Sequence, residues 1–162
     1  MAIRNRHPVK QKKAADVLRH IKTTLGCDVT VDSLIEVAEI DGRQMLIIDG
    51  SIDLFYIDDE PMLTLPGIHR HEPSKRYVTV DHGAVKFVLN GADIMAPGIT
   101  NADPAIQEND LVWIRNPEGT GIAVGRALVD GPAMVERDSG KAVENRHYIG
   151  DELWERNETL TA

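Results

Sequence analysis

The sequence predicts an α+β protein in which a small N-terminal α+β domain is followed by a strand-rich domain with short helices. Three observations predict it. A helical apolar pattern lies near the start, Gly- and Asp-marked turns recur at spacings that suit short strands, and a polar break at Glu72-Pro73-Ser74-Lys75 separates two apolar patterns. The expected division of the 162 residues is a first domain at 1–74, a second at 75–156 and a polar tail at 157–162.

Val9 to Leu25 reads as one helix, because Val17, Leu18, Ile21 and Leu25 share a face while Lys12, Asp16, Arg19 and Thr23 occupy another. Pro8 suits its first turn and Gly26 its end. Ser33 through Ile40 leads into a strand, Asp41-Gly42 is a hairpin signal, and Gln44 to Ile48 is the returning strand. After a turn at Gly50, Ile52, Leu54 and Tyr56 alternate with Asp53, Phe55 and Asp58 as in a half-exposed strand. Met62 to Leu65, bounded by Pro61 and Pro66, reads as another strand.

The second pattern opens with the strand Tyr77-Val78-Thr79-Val80. Asp81 is placed to cap a short helix and Gly91 to end it in the left-handed conformation. Val85, Val88 and Leu89, flanked by Ala84 and Phe87, face a core, while His82, Lys86 and Asn90 form a polar row at i, i+4, i+8. Ile94-Met95 reads as a strand, with Pro97-Gly98 at the centre of a type II turn. Further turns fall at Asn116 to Gly119, Asp130-Gly131-Pro132 and Asp138-Ser139-Gly140, the spacing of a small barrel or sandwich. Asp151 to Glu155 closes the second domain, with Leu153 and Trp154 covering the barrel end and a frayed polar tail beyond.

Aromatic residues are 4% of the chain, so its core rests on aliphatic side chains. Apolar runs such as Met45 to Ile48 are strand-sized, which predicts no membrane span, and the charged start lacks the apolar stretch of a secretory leader. A single cysteine, Cys27, fits a reduced cytoplasmic protein. The net charge of −8 argues against a general nucleic-acid binder, but it is uneven: +6 over residues 1–22 and −14 over the rest. Lys10, Lys12, Lys13, Arg19 and Lys22 therefore form a candidate auxiliary phosphate-binding patch, effective within a Debye length of ~8–10 Å. Its alternative is an ordinary solvated helix face.

His69-Arg70-His71 with His82 lacks the ligand spacing of a structural zinc site and reads as surface loop. Asp58-Asp59-Glu60 reads as turn residues. Neither a nucleophile elbow nor a phosphate loop nor a dinucleotide fingerprint is present, so neither catalytic residues, a metal nor a cofactor are expected.

The run from Val80 to Ile99, with the Leu111 to Ile114 and Gly121 to Ala127 segments and the His147-Tyr148 … Leu153-Trp154 ending, resembles the PUA domain, an RNA-binding β-pseudobarrel. Within that family it is similar to the malignant T-cell-amplified sequence proteins and their archaeal relatives, which are translation-associated. The resemblance implies a non-catalytic RNA-binding protein that contacts the tRNA acceptor end or small-subunit rRNA. As partners it implies the small ribosomal subunit and an initiation-factor-like protein. It directs attention to His82, Lys86, Asn90, Gly91, Ala92, Met95, Pro97, Gly98 and Arg126 as RNA-binding residues. Gly91 and Ala92 would act through lack of bulk, Lys86 and Arg126 through charge. Phe87, Trp113 and Trp154 are expected in cores. Asn109-Asp110 stands where many PUA domains have Gly-Asp. The alternative readings are a protein-interaction module, suggested by the acidic body, and an accessory subunit of an RNA-modifying enzyme.

Overall fold

A computed structural model describes residues 2–162, which divide into two units. The first comprises residues up to Ser74 together with Glu152–Ala162, and the second is Lys75–Asp151.

The first unit is an antiparallel meander, β1 (Ile3–Val9), β2 (Ile35–Ile40), β3 (Arg43–Ile48), β4 (Ser51–Ile57) and β5 (Glu60–Leu63), paired in chain order. It carries helices α1 (Gln11–Leu25), α2 (Leu65–His71) and α5 (Glu152–Thr161). The hairpins turn on two-residue loops with positive φ at both centres: 53° and 74° at Asp41-Gly42, 52° and 88° at Asp49-Gly50, 48° and 66° at Asp58-Asp59. Asp and Gly tolerate this geometry, whose twist matches that of the flanking strands.

Several elements depart from the sequence expectation. Pro8 lies in β1 rather than at a helix start, and α1 begins at Gln11. Among the described residues β1 is an edge strand that pairs with β2, a position that tolerates proline. β4 is buried rather than half-exposed, with Ile52, Asp53, Leu54 and Phe55 all at 0% accessibility. The cause is α2, for which no helix was expected. Thr64 Oγ1 caps it by accepting from Gly67 N at 3.1 Å, and Pro66 stands in its first turn. A Cβ on Gly67 would lie 2.2 Å from the Asp53 carbonyl oxygen, so α2 rests backbone to backbone on β4. His69-Arg70-His71 is accordingly helix rather than loop: His71 Nε2 donates to buried Asp53 Oδ2 at 2.8 Å, and Arg70 Nη1 lies 3.4 Å from the same oxygen. Residues 157–161, expected as a frayed tail, continue α5, and this helix groups with the first unit instead of closing the second. Its Asn157 is buried and Oδ1 accepts from Ile52 N at 2.7 Å, while Trp154 meets His69 edge-on.

Asp49 fastens the loop before β2. Backbone N–H groups of Asp32, Leu34 and Ser33 donate to its carboxylate at 2.7–2.9 Å and hold it below its ordinary pKa, with help from the Arg70 charge. A carboxyl with a depressed folded pKa stabilises above its unfolded value, about 3.9, and that contribution is lost as pH falls through the folded value. Asp49→Asn is therefore expected to melt below the parent at pH 7, with the gap narrowing toward pH 2. Thermal melts across this range check it, and a gap independent of pH would refute the assignment.

The second unit has a mixed six-stranded sheet of order β7-β11-β10-β9-β6-β8. Its strands are β6 (Tyr77–Val80), β7 (Ile94–Met95), β8 (Ile99–Ala102), β9 (Leu111–Arg115), β10 (Gly121–Ala127) and β11 (Lys141–Tyr148). β6 and β9 are parallel, and the other pairs are antiparallel. The two edge strands, β7 and β8, are joined by only the 3₁₀ turn Ala96–Gly98. Four Cα steps reach at most about 15 Å, whereas the edges of a flat six-stranded sheet stand about 24 Å apart, so the sheet must curl until it nearly closes. This is the expected pseudobarrel. Its interior is aliphatic, including Val78, Val80, Ile94, Val112, Ile114 and Val143. Trp113 is buried, as expected, with Nε1 donating to Lys75 O at 2.9 Å. Asn109 takes φ 76°, the conformation that favours glycine at that turn. Asp130-Gly131-Pro132 is not a simple turn but the start of helix α4 (Gly131–Glu136), where Asp130 Oδ1 caps Ala133 N at 2.9 Å. No helix among the described residues is long and apolar enough to cross a membrane.

Candidate nucleic-acid interface

Asp81 N donates to Gly98 O at 2.9 Å, and Asp81 Oδ1 accepts from Ala84 N at 2.9 Å to cap α3 (His82–Val88). The helix is thereby set over the 3₁₀ turn so tightly that a Cβ on Gly98 would come within 3.1 Å of the Ala84 Cβ. This close approach is why residue 98 is glycine; its φ is not positive, so the expected type II turn is instead a helical one around Pro97. Beyond α3, Gly91 takes φ 88° and turns the chain into β7.

Strand β11 fastens the far side. Asn145 Nδ2 donates to Val88 O at 3.2 Å and to Ala92 O at 3.0 Å, while Asn145 N donates to Asp93 Oδ1 at 3.0 Å. Asp93 Oδ2 pairs with Lys141 Nζ at 3.2 Å. Between α3, β7 and the turn lies an open groove of about 570 Å³ lined by Gly83, Ala84, Phe87, Val88, Ala92, Ile94, Met95, Pro97 and Gly98, with Asp81, Asp93 and Lys141 as its charged members.

The groove is mainly apolar, and two of its large side chains are exposed, Phe87 at 57% and Met95 at 46%. Lys86 Nζ stands 5.1 Å from the centre of the Phe87 ring. Such a surface suits a flat, partly apolar group stacked on the ring, with a cation near its rim.

Of the residues singled out in the sequence, Ala92, Met95, Pro97 and Gly98 line this groove, and Lys86 adjoins it above Phe87. The others lie elsewhere. His82 is exposed and pairs with Glu118 Oε2 at 3.3 Å. The helix ends at Val88, so Asn90 falls outside the expected polar row. The space above Gly91 is filled by Tyr148, whose ring carbon would lie 2.9 Å from an added Cβ. Arg126, on β10, donates from Nη1 to Asn109 O at 2.6 Å. In the first unit Lys10, Lys12, Lys13, Arg19 and Lys22 are exposed; Arg19 pairs with Asp16 at 2.7 Å and Lys22 with Asp28 at 3.1 Å.

Phe87 corrects the expectation of a core residue. At 100° per residue it stands about 150° from the centre of the face formed by Val85, Val88 and Leu89, a signal already present in the helical spacing. Asp93 and Lys141 were missed because their pairing joins positions far apart in sequence.

Among the described residues no group of three or more His, Cys, Asp or Glu side chains could hold a metal ion. Burial, aided by the charge of Asp28, pushes the Cys27 thiol up to about 11, which keeps it protonated at neutral pH.

The PUA domain profile matches residues 76–149. An uncharacterized protein of Methanocaldococcus jannaschii is 37% identical over 161 residues, covering 95% of this chain and 98% of the relative. Translation machinery-associated protein 20 of Saccharomyces cerevisiae is 33% identical over 70% of this chain and 67% of its own length. Malignant T-cell-amplified sequence 1 of Danio rerio is 32% identical over 68% of this chain and 64% of its own length. The solved structure of a conserved PUA domain protein from Thermoplasma acidophilum superposes with a TM-score of 0.84 at 31% identity, covering 94% of this chain and 99% of the other.

Proposed function

Because the chain belongs to the PUA-domain proteins, in the group that includes Translation machinery-associated protein 20 and the malignant T-cell-amplified sequence proteins, we propose that it is a non-catalytic, cytoplasmic RNA-binding protein of the translation apparatus. The observation that carries this reading is the open apolar groove with exposed Phe87 and Met95. An unpaired base stacks on such a surface whatever its identity, and neighbouring cations hold the phosphates. Unstacked bases occur at RNA ends and in loops, which favours the tRNA acceptor end or a small-subunit rRNA element as the ligand. The lysines at the start of α1 supply additional phosphate contacts, and a protein with an initiation-factor-like domain is the proposed companion on the small subunit.

Crosslinking of the intact protein to RNA in cells, followed by sequencing of the attached RNA, tests the proposal. Reads concentrated at tRNA 3′ ends or at one small-subunit rRNA helix are the expected result. Absence of crosslinked RNA, with a basic protein recovered instead, would transfer the groove to a protein-interaction role, for which the net charge of −8 provides the attraction.

A further inference from the structure

The outer face of the barrel carries a second feature that the groove does not use. Val78 and Val80 point into the core at 0% accessibility, so Tyr77 and Thr79 alternate outward along β6. Parallel pairing sets Arg115 of β9 opposite Thr79. The Arg115 guanidinium lies 4.0 Å over the Tyr77 ring and donates from Nε to Thr79 Oγ1 at 2.8 Å. It is thus fixed in orientation from one side and one edge, yet it has no carboxylate partner among the described residues. Two other cations of this unit have carboxylate partners, Arg76 with Asp110 at 3.4 Å and Lys141 with Asp93 at 3.2 Å. In a chain with 26 acidic and 18 basic residues, Arg115 stacks and bonds between β6 and β9 yet keeps an uncompensated charge.

We propose that Arg115, held on Tyr77 and anchored by Thr79, is a phosphate-binding site for the RNA strand whose end occupies the groove. A guanidinium fork matches two phosphate oxygens, and one already ordered by stacking loses less freedom on binding than a flexible lysine does. The site is continuous with the groove along β6. Thr79 precedes Asp81, a groove residue, by two positions, a separation of about 7 Å along a strand. A single strand leaving the groove across β6 brings its phosphates to Nη1 and Nη2.

The proposal rests on the groove reading, and its test separates the two. The affinity of the intact protein for a short single-stranded oligoribonucleotide is measured by fluorescence anisotropy across a range of salt. Arg115→Gln is expected to weaken binding about 5–10-fold and to flatten the slope of log K against log salt by about 0.7, the loss of one phosphate contact on a single strand. Arg115→Lys keeps the charge, so it is expected to retain the slope while losing about 2–5-fold through the missing fork, which also controls for folding. Parent slope and affinity in Arg115→Gln, with binding still weakened by Phe87→Ala, would overturn the Arg115 site alone. Failure of the parent itself to bind the oligonucleotide would overturn the RNA reading and this site with it.

Discussion

Gly125→Ala is expected to cost the second unit about 3 kcal/mol, a large share of the roughly 5–15 kcal/mol that holds an ordinary domain folded. The pairing of β10 with β11 shifts register between Val124 and Gly125. There the strands come so close that an added Cβ would sit 2.1 Å from the Glu144 carbonyl oxygen and 2.7 Å from Val143 Cγ1. Val143 could rotate, but Glu144 O belongs to the backbone of the adjoining strand and can yield only if β11 moves. β11 also carries Lys141, Asn145 and Tyr148, which fasten the groove, so the damage extends to the binding surface. Denaturant melts followed by circular dichroism measure the effect. A midpoint within about 0.5 kcal/mol of the parent would mean that the strand pair yields at no cost, contrary to this account.

Phe87→Ala is expected to separate binding from stability. Its ring is 57% exposed, and removing it leaves the core of the unit untouched, so the melting curve should match the parent within about 0.5 kcal/mol. A base stacked on an aromatic ring is worth about 1–3 kcal/mol, which predicts a 5- to 150-fold loss of affinity for single-stranded RNA. Because stacking is not ionic, the salt slope should remain unchanged, in contrast to the Arg115 variants. Met95→Ala should produce a smaller loss in the same direction. Unaltered RNA affinity in Phe87→Ala, in a protein that otherwise binds, would remove the groove as the place where a base is held.

What could be read from the sequence was local. The turns at Asp41-Gly42 and Gly50 and the Asp81 cap are specified by adjacent residues, and the structure places them where expected. The elements that escaped depend on partners elsewhere. β1 is an edge strand whose polar sequence shows no alternation, and α2 follows a run in which Pro61 and Pro66 looked like the two ends of a strand. The burial of β4 could not be read from its alternating pattern, because the Asp53 carboxylate is accommodated by His71 from a helix that was not expected. The groove divides in the same way. Ala92, Met95, Pro97 and Gly98 came from one continuous motif, whereas Lys141 reaches it from a strand more than forty residues later. Arg115 resembled any other strand cation until the register brought Thr79 and Tyr77 beside it.

The bond between Asn157 and Ile52 spans 105 residues, with the whole second unit lying within the span. Loop closure of that length is about three doublings beyond a twelve-residue loop and costs on the order of 2 kcal/mol more. The second unit, a continuous stretch of chain, bears no such penalty. During synthesis it can therefore complete its barrel while the earlier unit still lacks α5. Strand β4, made before the second unit, waits for a helix made after it, and the buried Ile52 N–H gains its partner only once α5 has left the ribosome.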